Sequence, residues 1–429
     1  MSAALAVPPH VGSRVVRQAG SGERTCAHQL FHTMEPLLAP VEGTRAPWNE
    51  SDISDGIVEG TRRNGFYPSR PLGRAGHVMT GVATDLAGRM EAALAAFIDD
   101  QSLPQEAEEL GSVLGSLREY VLRSGKRARP VFCYWGWRGA GEEDCPEIVS
   151  AAASLELFHA FALIHDDIMD GSETRRGGPA MHRRLADQHS RNGWRGTSEA
   201  FGTATGILLG DLCLMWADEL LNHSGLDARR LAAARWVYDV MRTEVVAGQY
   251  LDVLETARGD GSVERSLAIA RLKTARYTVQ RPLQLGGALA GATRETLIAY
   301  SRFGIPLGEA FQMRDDVLGV YGDPAVTGKS ATDDLCEGKP TVLIAQAVRH
   351  ATPVQRARIR ALYGDPDLQE PEAEELREII TATGALARTE DMINERAERA
   401  FAALRSAPIE SEARQALKEL AEKAVARTR

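Results

Sequence analysis

The stretch HAFALIHDDIMDG, residues 159–171, places three aspartates at the end of an apolar run. On a helix at 100° per residue, His159, Asp166 and Asp170 fall in one narrow sector, with Asp167 beside them. Like charges four residues apart destabilise a bare helix, and a bridging cation reverses that cost. An all-oxygen donor set suits a hard ion, Mg²⁺ before zinc. A second acidic pair, Asp315 and Asp316, ends another apolar run in AFQMRDDVLG. Two such helices facing each other would build a metal site in the manner of a bundle.

Bases accompany the acids. SGKRARP contributes Lys126, Arg127 and Arg129, TRRGG contributes Arg175 and Arg176, and LKTARYT contributes Lys273 and Thr274. Lys329 and Lys339 lie in a later Gly-rich loop. Alone, each is ordinary surface charge. Together with two acidic motifs they fit two polyanionic groups, some oxygens held directly and some through Mg²⁺. GDPAVTGKS imitates a phosphate-binding loop, but five residues separate its glycines where that motif has four, and no strand precedes it.

The elements that must position these residues are helical. Apolar residues recur at three and four spacing from Thr84 onward, over 110–123, 146–170, 201–222, 227–257, 264–290, 294–319, 340–350 and 373–405. Strand-like alternation is scarce. The expectation is one all-α domain over 81–429, with long loops at 171–200 and 321–339. Residues 1–80 mix Pro, Gly, Ser and Arg without periodicity. They read as a disordered extension, an address or a docking segment for a partner.

Composition sets the remaining bounds. The 429 residues carry a net charge of −9, with 44% hydrophobic and 25% charged residues. That balance is globular and argues against general nucleic-acid binding. No apolar run reads as a bilayer span. Five cysteines without a CxxC pair indicate neither a disulfide framework nor zinc, and point to a reducing cytoplasm.

In order along the chain, GKRARP, ELFHAFALIHDDIMD with TRRG, GILLGD, GQYLD, KTARYT, FQMRDDVLG, TGKS and EGKPT resemble the trans-isoprenyl diphosphate synthases, the polyprenyl synthetase family. YTVQRPLQLGGALAG and RDDVLGVYGDPAVTGK look most like actinobacterial geranylgeranyl diphosphate synthases. The resemblance implies an all-α bundle around a deep central cavity, usually a homodimer. It implies condensation of isopentenyl diphosphate with allylic diphosphates, with roles residue by residue. Asp166, Asp170 and Asp315 match Mg²⁺ ligands, supported by Asp167 and Asp316, with three ions once substrate is bound. Lys126, Arg129, His159 and Arg176 match the isopentenyl diphosphate side. Arg175, Lys273, Thr274, Gln312, Lys329 and Lys339 match the allylic side. The chain departs from the family pattern at Gly319, where the second motif usually ends in aspartate, and at Ser124 and Pro340.

Product length would be set by the cavity floor. Phe158, Phe161 and Ala162 share a helix side, and Phe161 stands five residues before Asp166, roughly 7.5 Å of rise. Phe161 reads either as core packing or as a block to a growing tail. In the family, an aromatic there beside an uninterrupted DDxxD resembles C20 enzymes; farnesyl or longer products are the alternatives. Two other readings compete: a class I terpene cyclase, whose own second motif is not found, and a non-catalytic partner subunit, which would be expected to have lost acids or arginines.

Overall fold

The computed structural model describes residues 86–101, 110–123, 127–259, 261–322 and 332–425. The expected disorder of 1–80, and Lys126 and Lys329, lie outside the described residues. The helices in order are α1 (Leu86–Asp99), α2 (Leu110–Leu122), α3 (Ala128–Gly139), α4 (Pro146–Met169), α5 (Met181–Arg191), α6 (Ser198–Asn222), α7 (Ala228–Arg258) and α8 (Val263–Ala270). They continue as α9 (Arg281–Leu289), α10 (Arg294–Tyr321), α11 (Asp333–Glu337), α12 (Val342–His350), α13 (Pro353–Leu362), α14 (Glu370–Ala382), α15 (Ala385–Ser406) and α16 (Ser411–Val425). A π-helical segment, Arg271–Gln280, joins α8 to α9. The strand content of the described residues is one antiparallel hairpin, β1 (Thr174–Arg175) and β2 (Gly178–Pro179).

Helix α4 is the spine. Pro146 opens it, where the missing N–H costs nothing, and its Ile, Val, Ala and Leu side chains are buried on nearly every side. It packs against α6, α3 and α1 within the largest apolar core, which includes Leu155, Phe158, Ile164, Leu209, Trp216, Tyr238 and Met241. A second core gathers Met313, Val317, Leu343 and Leu376, and a third Phe132, Leu283, Tyr300 and Phe303. Side-chain caps fix several starts: Asp227 accepts from the Arg229 and Arg230 amides, and Thr293 from that of Thr296.

Several expectations need correction. The stretch 181–191, expected within a loop, is a helix whose polar sequence hid its short apolar face of Met181, Leu185 and Ala186. The single helix expected over 264–290 changes register through the π segment. The one expected over 373–405 breaks at Gly384, whose φ of 74° is cheap for glycine. Two helices, α4 and α6, do have the length and apolar composition of a bilayer span, against the expectation of none. The most apolar stretch of α4 is 67% buried inside the protein, as befits a core helix, whereas that of α6 is 39% buried.

Candidate active site

The last turn of α4 separates its aspartates by direction. Asp167 is fully buried and accepts from Arg175 Nε at 2.6 Å. The guanidinium arrives from the hairpin, so these two predicted site residues are engaged with each other. Asp166 faces the π segment, where Lys273 Nζ donates to Asp166 Oδ1 at 2.9 Å and to Asp252 Oδ2 at 2.6 Å. Burial opposes ionisation of Asp166, but the Lys273 charge outweighs it and holds the carboxyl below its ordinary value. Burial, with Asp166 beside it, pushes the Asp170 carboxyl up to about 6. Asp170 Oδ2 is buried and has no hydrogen-bond partner among the described residues.

The π segment links this cluster to the second acidic motif. Thr274, next to Lys273, donates to Gln312 Oε1 on α10, and Gln312 Nε2 donates to Asp316 Oδ1 at 2.8 Å. Burial pushes the Asp316 carboxyl up to about 8; Gln312 opposes this and Asp315 adds to it. Asp315 itself is exposed. Lys339 is held by Glu337, and its carbonyl accepts from the Tyr363 hydroxyl. The Lys339 charge favours the ionised form of Asp166, Asp170 and Asp316 alike, so it lies within electrostatic reach of both acidic motifs.

A basic cluster surrounds α4 on the N-terminal side of these aspartates. His159 stands seven positions before Asp166, roughly 10 Å along the axis. The Arg129 guanidinium stands 4.1 Å from the Tyr277 ring centroid, and its buried Nε has no hydrogen-bond partner among the described residues. Tyr277 Oη lies 3.4 Å from His159 Nδ1. Burial first, then Arg129, Arg176, Arg175 and Arg127, hold His159 well below its usual value, so it is neutral. Arg127 and Arg176 both adopt left-handed backbone, with φ of 47° and 52°, which non-glycine residues rarely do. Arg127 is structural: it donates to Glu156 Oε2 at 2.7 Å and to the Val121 and Leu122 carbonyls at 3.0 and 3.2 Å. Burial lowers Arg176, with Arg127 and Arg129 adding repulsion and Glu156 opposing. Excess positive charge of this kind suits an anion.

Phe158, just before His159 on α4, is fully buried, its ring centroid 5.4 Å from Phe161 and 5.6 Å from Tyr277. Phe161 is half-buried with its ring 4.9 Å from that of His165, and Ala162 is half-buried as well.

Asp252 and Tyr277 were missed as site residues from sequence. The available signal for Asp252 was Gly248 one turn earlier: a Cβ there would stand 2.9 Å from the Lys273 amide nitrogen, so α7 must approach the π segment closely.

Among the described residues no group of three or more His, Cys, Asp or Glu side chains is set to hold a metal ion. A Mg²⁺ ion bound by one or two carboxylates, with waters and phosphate oxygens completing its shell, needs no such cage. The unpartnered Asp170 oxygen fits that mode, with Asp166 as its neighbour on the helix.

Residues 112–380 match the family model described as polyprenyl synthetase. The solved geranylgeranyl pyrophosphate synthase from Corynebacterium glutamicum, complexed with isoprenyl diphosphate and magnesium, is 39% identical, with a TM-score of 0.78 over 80% of this chain and 99% of that one. Geranylfarnesyl diphosphate synthase from Aeropyrum pernix is 33% identical over 63% of this chain and 80% of its own. Octaprenyl diphosphate synthase from Escherichia coli (strain K12) is 32% identical over 75% of this chain and 93% of its own. Matched over most of its length, with both acidic helices meeting on one π segment, the chain belongs to the polyprenyl synthetase family of trans-isoprenyl diphosphate synthases.

Proposed function

We propose that the protein is a Mg²⁺-dependent prenyltransferase that condenses isopentenyl diphosphate with allylic diphosphates, with geranylgeranyl diphosphate as its main product. One observation carries this reading. Lys273 bridges Asp166 and Asp252 while its neighbour Thr274 reaches Gln312, so one segment ties both acidic helices together.

When bound, Mg²⁺ (three ions with substrate present) supplies charge neutralisation at the leaving diphosphate. Asp166, Asp170 and Asp315 would hold it, with Asp167 and Asp316 in support. Lys273 adds a fixed positive charge where the allylic C–O bond breaks, and Asp252 holds that charge in place. Arg175, Thr274, Gln312, Lys329 and Lys339 complete the allylic side. Arg129, Arg176, neutral His159 and Lys126 hold the second diphosphate and orient its double bond toward the cation. The new C–C bond forms, a proton is lost to the departed diphosphate, and pyrophosphate leaves. The apolar wall of α4 excludes water from the cation. Phe161, on Phe158 and beside Ala162, forms the floor that stops the tail.

The exposed Ile207, Leu208 and Met215 on α6, and Val246, Tyr250 and Val253 at i, i+4 and i+7 on α7, support a homodimer through these helices. The cytoplasm is the expected compartment.

Release of pyrophosphate tests the reading. It should require both substrates and a divalent metal, and stop on chelation. Lys273→Met should lower turnover by about 10²–10³-fold, the usual loss of one charge-stabilising donor. Release from the allylic substrate alone at the full rate would instead indicate cyclisation or hydrolysis.

A further inference from the structure

At the end of α4 the acids Asp166 and Asp170, the latter capping the helix, stand four residues apart. On α10 the position four beyond Asp315 is Gly319, which has no side chain. That space is filled from another element. A Cβ built on Gly319 would lie 1.7 Å from Asp334 Oδ2, 2.7 Å from its Cγ and 3.3 Å from its Cβ. The carboxylate of Asp334, on α11, therefore sits against the bare backbone of α10 where a residue-319 side chain would begin.

Its surroundings belong to the site already described. Asp334 adds to the upward push on the Asp316 carboxyl. Its ion-pair partner among the described residues is Lys339, at a long 4.0 Å, whereas Glu337 contacts the same ammonium directly. The Lys339 charge in turn acts on Asp170, whose buried Oδ2 has no partner among the described residues. Asp334 is thus only loosely committed to Lys339 and lies against α10 one turn beyond Asp315.

We infer that Asp334 completes the second acidic motif, supplying from α11 the cation-binding carboxylate that α10 lacks at Gly319. The inference rests on the functional reading above. It assigns a ligand role to a residue of the loop that also carries Lys339, so binding of metal and diphosphate would fasten α11 onto α10.

The test is calorimetric binding of inorganic pyrophosphate to the full chain, with and without Mg²⁺, alongside metal-free thermal melting. Asp334→Asn should weaken the Mg²⁺-dependent binding by about tenfold, the scale of losing one supporting group at a metal site, and leave metal-free melting unchanged. Moving the acid onto α10, as Gly319→Asp with Asp334→Gly, should recover most of the loss relative to Asp334→Gly alone. Glycine is used because the Asp334 Cβ already crowds position 319. Wild-type-like binding by Asp334→Asn would overturn the inference, as would an equal loss with and without Mg²⁺. If the wild-type chain bound no pyrophosphate with Mg²⁺, the functional reading would fail and the inference with it.

Discussion

At the scale of single residues, charge and burial divide the aspartates into different jobs. Asp166 is kept ionised by Lys273, Asp167 is locked by Arg175, and Asp170 is destabilised by its surroundings. The sequence shows all three, but not which way each points. Helical spacing distinguishes Asp166 and Asp170 from Asp167, whereas the Arg175 partner comes from a hairpin that two-residue strands do not announce. Asp316 gives a pH prediction. Its carboxyl is raised from 3.8 to about 8, so the folded protein holds that proton more tightly than the unfolded chain. The resulting stability is fully present below about pH 4 and is lost as pH rises through about 8. Thermal melting of metal-free protein should therefore fall from pH 5 to pH 9, and Asp316→Asn should flatten that slope. Parallel slopes for the two proteins would show that Asp316 titrates normally.

At the scale of elements, the π segment is the device that brings the two acidic motifs together. Its i→i+5 register adds one residue per turn and presents Lys273 and Thr274 to different helices. Nothing in hydrophobic periodicity separates 264–290 into three registers, because the apolar face continues through all of them. The signal lies in the partner: Gly308 on α10 lets the π segment approach so closely that a Cβ there would stand 2.3 Å from Ala275 Cα. Backbone cannot yield as a flexible side chain can. Gly308→Ala should therefore destabilise the protein by about 1–3 kcal/mol, the usual cost of overpacking, measured by urea denaturation. An unchanged midpoint would mean that the two elements are not pressed together. The all-α class was more legible than these joints, since three and four spacing persists through α4, α6, α7 and α10. The short helices α5, α11 and α13 were hidden by polar, loop-like sequence.

At the scale of the whole molecule, the exposed apolar residues of α6 and α7 call for a partner surface. Leu208 is 66% exposed and Tyr250 63%, unusual for side chains of this size on long regular helices. If these faces pair in a homodimer, replacing both residues by glutamate places like charges across the contact and excludes association. Sedimentation should show a wild-type dimer and a monomeric double variant. A wild-type monomer, or a double variant that still sediments as a dimer, would contradict the assignment. Composition alone gave no sight of this face, because apolar residues on helices read as core until packing leaves them outside.

The most direct measurement is the size of the product. Purified protein would be incubated with Mg²⁺, isopentenyl diphosphate and, in turn, dimethylallyl, geranyl and farnesyl diphosphate. The dephosphorylated alcohols would be sized by mass spectrometry, for the wild type and for Phe161→Ala. The account predicts a dominant C20 alcohol from every starter, and longer alcohols when Phe161 is removed. A product of another length, or one that Phe161→Ala leaves unchanged, would contradict the cavity floor, and no elongation from any starter would contradict the proposed activity itself.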